Sequence, residues 1–286
     1  INNPAGDLAA AKAMVPSVTA AIQNPSDKNT FGMALISLGG KLKDIPLEKQ
    51  GIDLALASGK VSSAQVGLFH FFLGKFAYDE KNFVEARTQF QAAQQAGYTD
   101  NDARPAIAET YFGANQPVEG LKYLADAIKQ EETAGRKAPN AWLLRGLQIA
   151  YQAKLAPQAA EFSAMLVRSD PSQKAWLDSL QVIRAVTPFD AQGQLDILRL
   201  MRKTGVLKDH NDYVEYVQTA DPRRMASEVL AVLDEGVKAG ALTTSDPVYT
   251  EAKATAVTRA AADRKDAPAL VADAKSAATG VTAQGA

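Results

Sequence analysis

A frame of 34 residues constrains this chain more than any other feature in it. Leu73-Gly74, Ala86, Phe90 and Ala93 return as Ile107-Ala108, Gly120, Leu124 and Ala127, each 34 residues later. Small residues recur where two helices must approach closely, and large apolar ones recur between them, as in stacked helix-turn-helix units. In the first unit Phe69, Leu73 and Phe76 fall at helical spacing over 66–78, and Asp79-Glu80-Lys81-Asn82 make a turn. Ala86, Phe90 and Ala93 then form the matching face of a second helix over 83–96, ended by Gly97 as a left-handed cap. One unit cannot bury both its apolar faces, so neighbours must stack, and about three units are the minimum.

The frame extends in both directions. Residues 103–113 and 117–131 form the next pair, with Tyr111 placed 34 after Ala77. The segment 132–139 delays the register by four residues before Trp142-Leu143-Leu144-Arg145-Gly146 restores it, and a second helix follows near 157–167. Trp176 and Ile183 stand 34 after Trp142 and Ile149, which predicts a pair over 173–203. A shortened pair follows over 212–219 and 223–239. Upstream, Gly39, Gly51 and Ala55 precede Gly74, Ala86 and Phe90 by 35, which marks a divergent unit over 29–58. Asp170-Pro171, Asp221-Pro222 and Asp246-Pro247 read as helix starts, since a carboxylate caps free N–H groups and proline suits the first helical position. One helix kinked at Pro16 is expected over 4–22, and two alanine-rich helices over 248–262 and 267–278.

Residues 66–171 resemble the tetratricopeptide repeat family on the strength of this period, the W-x-x-L-G-like opening at Trp142 and Pro171, twelve residues after Ala159. A fainter similarity, in Leu54–Lys60 and Ala220–Arg224, is to secreted repeat proteins of proteobacteria. Three positions depart from the family pattern: Tyr98 stands where proline is usual, Gly120 where alanine is, and Arg145 where leucine is. The resemblance implies an all-α fold, an α-solenoid of antiparallel helix pairs wound into a right-handed superhelix. The expected organisation is an N-terminal capping helix in 1–28, a divergent repeat in 29–64, tetratricopeptide repeats in 65–171, degenerate repeats in 172–245 and alanine-rich helices in 246–286, possible beginnings of further repeats.

Composition removes several functions. Thirty-one basic residues face thirty-two acidic ones, so no electrostatic footprint for nucleic acid exists. No apolar run approaches the ~20 residues of a membrane span. Cysteine is absent, which excludes disulfides and thiolate metal sites and suits cytoplasm and periplasm equally. The first residue, Ile1, is not methionine; the expectation is a cleaved leader and a periplasmic or secreted protein, with the cytoplasm as the alternative if the chain boundary has another origin. His70 and His210 are the only histidines. His70 lies between Phe69 and Phe71 and reads as a hydrogen-bonded core residue; His210, in Lys208-Asp209-His210-Asn211-Asp212, reads as part of a helix cap. No nucleophile elbow, zinc-protease or phosphate-loop motif occurs. The expectation is a protein without catalytic activity, cofactor or metal.

What the resemblance implies is binding. First helices would line a concave groove, placing Phe71, Lys75, Tyr78 and Asp79 there, then Glu109 and Phe112, Leu147 and Tyr151, and Gln181 and Arg184. Pro105, Leu143 and Lys174 occupy neighbouring groove positions. The partner would be a protein or peptide. Phe71-Phe72 occupies two places where carboxylate-clamping grooves of this family carry polar residues, which disfavours a clamp for chain ends. A structural subunit of a larger assembly, such as one of the envelope, is the alternative, with a small-molecule or lipid carrier behind it because Lys75, Glu109 and Arg184 interrupt an apolar lining. Oligomeric state is not legible.

Overall fold

Most helices among the described residues begin at side chains that accept an amide hydrogen; those starting after Met14, Gln116, Pro139 and Met225 do not. The computed structural model describes residues 7–99 and 102–276, and its regular elements are all α-helices. They are α1 (Leu8–Ala13), α2 (Val15–Ala20), α3 (Pro25–Leu42), α4 (Ile45–Ala57), α5 (Ser63–Asp79), α6 (Phe83–Gln95), α7 (Ala103–Gly113), α8 (Pro117–Thr133), α9 (Asn140–Gln152), α10 (Ala156–Ser169), α11 (Gln173–Val186), α12 (Ala191–Lys203), α13 (His210–Ala220), α14 (Ala226–Lys238) and α15 (Pro247–Ser276). Asn24, Asp44, Asn82, Asp190 and Asp209 each cap the helix that follows, and Ser62 with Gln65 closes a reciprocal capping box on α5. Such caps satisfy amides that have no partner inside the helix. Helices adjacent in sequence pack on each other from α3 to α9 and again from α11 to α15, as in a helical solenoid.

The turns alternate in chemistry. Turns leading from the first helix of a pair to the second place Lys43, Lys81, Asn115 and Lys154 at positive φ, whereas turns between pairs place Gly59, Gly97 and Gly135 there. In most of them the following amide reaches back to a carbonyl in the last helical turn: Asn82 to Ala77 at 2.8 Å, Tyr98 to Ala93 at 3.1 Å, Gln116 to Tyr111 at 2.9 Å and Leu155 to Ala150 at 2.9 Å. This is the Schellman arrangement, and it satisfies carbonyls that the helix leaves open.

The chain divides into two compact units after Gln158, inside α10. In the first unit the close approaches fall where the frame put small residues. A Cβ on Gly51 would stand 2.7 Å from the Gly32 carbonyl oxygen and the Ile36 amide, and one on Gly74 would stand 2.6 Å from the Phe90 ring. Ala55, Ala86 and Ala93 have no exposed surface. The family departures also acquire causes. Tyr98 stacks on Phe71 with ring centroids 4.9 Å apart, and the Phe112 ring lies over Gly120, where even a methyl would clash. The segment that shifts the register begins with α8 running on to Thr133 and a left-handed Gly135. Glu131 fastens it by taking Arg136 at 2.6 Å and Arg104 at 2.7 Å, and Arg104 also lies over the Trp142 ring.

In the second unit Leu180, Leu195, Leu198, Tyr216, Val229, Val232 and Leu233 form one core with α15, which contributes Tyr249, Ala252, Ala256 and Ala260. The four-residue alanine spacing seen in the sequence is the face of α15 that packs.

Several expected boundaries move. The N-terminal helix is two helices, α1 and α2, meeting at Met14 with Pro16 in the first turn of α2; residues 1–6 lie outside the described part. At Asp170-Pro171 the capping residue is Ser172, because the Asp170 carboxylate is engaged by the Ser172 amide at 3.2 Å. At Asp221-Pro222 the chain makes a turn instead of a helix start, since Asp221 has φ 57° and ψ 112°, and α14 waits until Ala226. Asp246-Pro247 does open a helix at Pro247. The two alanine-rich C-terminal helices are one, α15, continuous through Pro268; 277–286 lie outside the described residues. No helix among the described residues is long and apolar enough to cross a membrane.

Candidate functional site

The register that buries Gly74 and Ala77 of α5 leaves Lys75 and Asp79 exposed and Tyr78 half-buried at the edge of the core. These three, with Glu109 and Ala106 from α7 and the Phe90 ring from α6, line a cavity of about 210 Å³. Phe90, Ala106 and the Tyr78 ring supply apolar surface, and the charges stand around it. Tyr78 is fixed by an edge contact to Phe83, centroids 5.3 Å apart. Burial, reinforced by the Glu109 carboxylate, raises its hydroxyl above the usual tyrosine value, so at neutral pH it is a neutral donor.

The rim is only partly committed. Arg145 donates to both oxygens of Glu109 at 2.6 and 2.8 Å and lies over the Phe112 ring. That planar two-point pairing is the strong form of an ion pair, and it raises the Arg145 guanidinium further. Lys75 and Asp79 are exposed and have no ion-pair partner among the described residues.

The remaining expected groove residues are dispersed. Phe71 packs inward, 5.4 Å from the Phe90 centroid as well as against Tyr98. Leu147 is 3% exposed and belongs to the core, as does Leu143. Phe112 is half-buried under Arg145, and Tyr151 of α9 is 49% exposed. Pro105 is half-buried. Gln181 and Arg184 sit in the second unit. Gln181 is exposed, but Arg184 is engaged by Asp212 at 2.9 Å and by Glu215, and Lys174 is paired with Asp178. Thus Lys75, Tyr78, Asp79 and Glu109 come together, and the others do not join their cavity. The frame gave no notice that Phe90 would share its wall, because Phe90 is a core position by periodicity, and it assigned no role to Ala106. Arg145 was legible only as a departure.

Neither histidine stands in a reactive setting. His70 Nδ1 is 2.6 Å from the Gln89 side-chain oxygen, and the Gln89 amide donates to Glu85. His210 opens α13 with Nδ1 at 3.1 Å from the Ala241 carbonyl, while Asp209 provides the cap. Among the described residues no three His, Asp or Glu side chains are grouped to hold a metal ion. No family model matches the chain, and a search of the curated proteins finds no match for it.

Proposed function

We propose that the protein is a non-catalytic scaffold that binds a peptide or a segment of a partner protein in the first unit, on helix pairs arranged in the antiparallel, superhelical manner of tetratricopeptide repeats. One observation carries this reading: the Lys75–Tyr78–Asp79–Glu109 cavity, with an apolar floor and an uncommitted cation and anion one helical turn apart. A single apolar side chain of the partner would fill the floor, with its flanking polar groups meeting Lys75 and Asp79. The order of the close approaches supports antiparallel pairing, since Gly32 meets residues 51 and 55 while Gly39 meets 48 and 44. The alternating turn chemistry supports repetition of one unit.

A display library of random peptides panned against the full chain tests the reading. Enriched peptides should share an apolar anchor, and their binding should fall by a factor of about 30 or more in Tyr78→Ala, the cost of truncating an interface anchor. Val84→Asp, an exposed position on α6 (72%), should leave binding unchanged. No enrichment, or equal binding to Tyr78→Ala, overturns the proposal.

A further inference from the structure

The second unit contains two polar cavities of opposite character. One, of about 480 Å³, lies among Arg199, Arg202, Lys203, Tyr216, Glu228 and Glu235, and all of these but Lys203 satisfy one another. Arg199 holds both oxygens of Glu228 at 2.8 and 2.7 Å, Arg202 holds both of Glu235 at 2.8 and 2.6 Å, and Tyr216 donates to Glu228 at 2.6 Å. A ligand there would have to break strong pairs before making its own.

The other cavity, of about 270 Å³, lies between the turn after α13 and the start of α15. Gln218, Asp221, Arg223, Glu251 and Thr255 line it, with Pro222 and Ala252 as its apolar part. Here the charges are unspent. Arg223 makes no ion pair among the described residues, and neither do Asp221 and Glu251, although both signs border one space. The Gln218 amide and the Thr255 hydroxyl have no hydrogen-bond partner there either. Asp221 uses one carboxylate oxygen on the Arg223 amide at 2.9 Å and keeps the other.

Its backbone is held where L residues rarely go. Lys43 also has positive φ, but with ψ 39° it is an ordinary left-handed helix end; Asp221 combines φ 57° with ψ 112°. That conformation forms the turn, postpones α14 and brings Asp221 and Arg223 onto the same cavity. Strain of this kind persists only where its surroundings hold it, and it concentrates at ligand sites.

Two carboxylates and one guanidinium, kept apart around a small cavity, suit one kind of occupant. A simple anion would meet two like charges and a simple cation would meet one. A molecule carrying an ammonium and a carboxylate on one carbon would satisfy both sets. We propose that this cavity binds a free α-amino acid, its ammonium taken by Asp221 and Glu251 and its carboxylate by Arg223, with Gln218 and Thr255 completing the hydrogen bonds. The site lies wholly in the second unit and stands or falls independently of the peptide-binding reading.

The test is a titration of the full chain with each of the twenty L-amino acids, followed by amide chemical shifts. At least one should bind saturably at millimolar concentration or below and shift resonances of Gln218, Arg223, Glu251 and Thr255. For that amino acid, Arg223→Gln and Glu251→Gln should each weaken binding roughly tenfold or more, the scale of one lost charge-assisted hydrogen bond. Both side chains are exposed, so neither change should disturb the fold. The N-acetylated and the amidated derivatives, which imitate the ends and interior of a peptide, should bind at least as much more weakly. The proposal is overturned if no amino acid shifts these resonances, if both variants bind as the parent does, or if either derivative binds as well as the free amino acid.

Discussion

Gly51 and Gly74 are both glycines at helix crossings, but what opposes them differs, and so should the cost of filling them. A methyl at 51 would press on the Gly32 carbonyl and the Ile36 amide at 2.7 Å, which are backbone and cannot turn away; one at 74 would meet the Phe90 ring at 2.6 Å, which can shift. Gly74→Ala is expected to cost about 1–3 kcal/mol, the usual range for overpacking, and Gly51→Ala more, measured by chemical denaturation. Glu228 makes a second case. The Arg199 guanidinium, helped by the Tyr216 hydroxyl, holds its carboxyl down to about 2 against burial. A depressed folded value means the stabilisation is complete above the ordinary value of 4.5 and is lost as pH falls from there toward 2. Glu228→Gln should therefore lower stability at pH 7 by on the order of 2 kcal/mol, and the gap to the parent should close by pH 2.

At the scale of the helix, the alternation of lysine and glycine in the turns has an energetic consequence. A side chain with a Cβ costs roughly 1–2 kcal/mol in the left-handed region, and glycine costs about 0.5–1 kcal/mol in lost chain freedom. Lys81→Gly and Lys154→Gly, at φ 62° and 54°, should each stabilise the protein by about 0.5–1 kcal/mol; a drop in melting temperature would show that the lysine stems contribute packing there. The last helix presents the opposite situation. Ala252, Ala256 and Ala260 of α15 are buried, but between Ala261 and Val271 none is, and Pro268 removes the bond to the Arg264 carbonyl. Hydrogen exchange should report amides beyond Arg264 opening far faster than those near Ala256, since only the latter are tied to the core. Equal protection along the helix would contradict this.

For the molecule as a whole, the proposed binding surface adjoins the core of the first unit and shares the Phe90 wall with it. The core positions are alanines, leucines and glycines at fixed periods, whereas Lys75 and Asp79 are exposed and Tyr78 is only half-buried at the edge of that core. Tyr78→Ala should accordingly keep the helical far-UV spectrum of the parent while losing selected peptides. A collapse of helicity in that variant would make Tyr78 a structural residue and move attention to the rim groups.

The all-helical architecture and the boundaries of α6, α7 and α8 within two residues could be read from the chain because they follow from local rules. Apolar spacing fixes which face of a helix is buried, and Gly97 and Asn82 fix its ends without reference to anything distant. What the period could not distinguish was which groove positions stay open. Phe71 and Leu147 are apolar residues on first helices like any other, and only packing shows Phe71 sealed by Tyr98 and Leu147 enclosed in the core. Arg145 spent on Glu109, and Arg184 on Asp212 and Glu215, are likewise pairings across helices 28 to 36 residues apart, which no local pattern encodes. Asp221 is the clearest instance. Its dipeptide with Pro222 has the chemistry of a helix start, yet the surrounding helices hold it in a turn, because a backbone conformation that is unfavourable by itself persists when the packed structure on either side over-determines it.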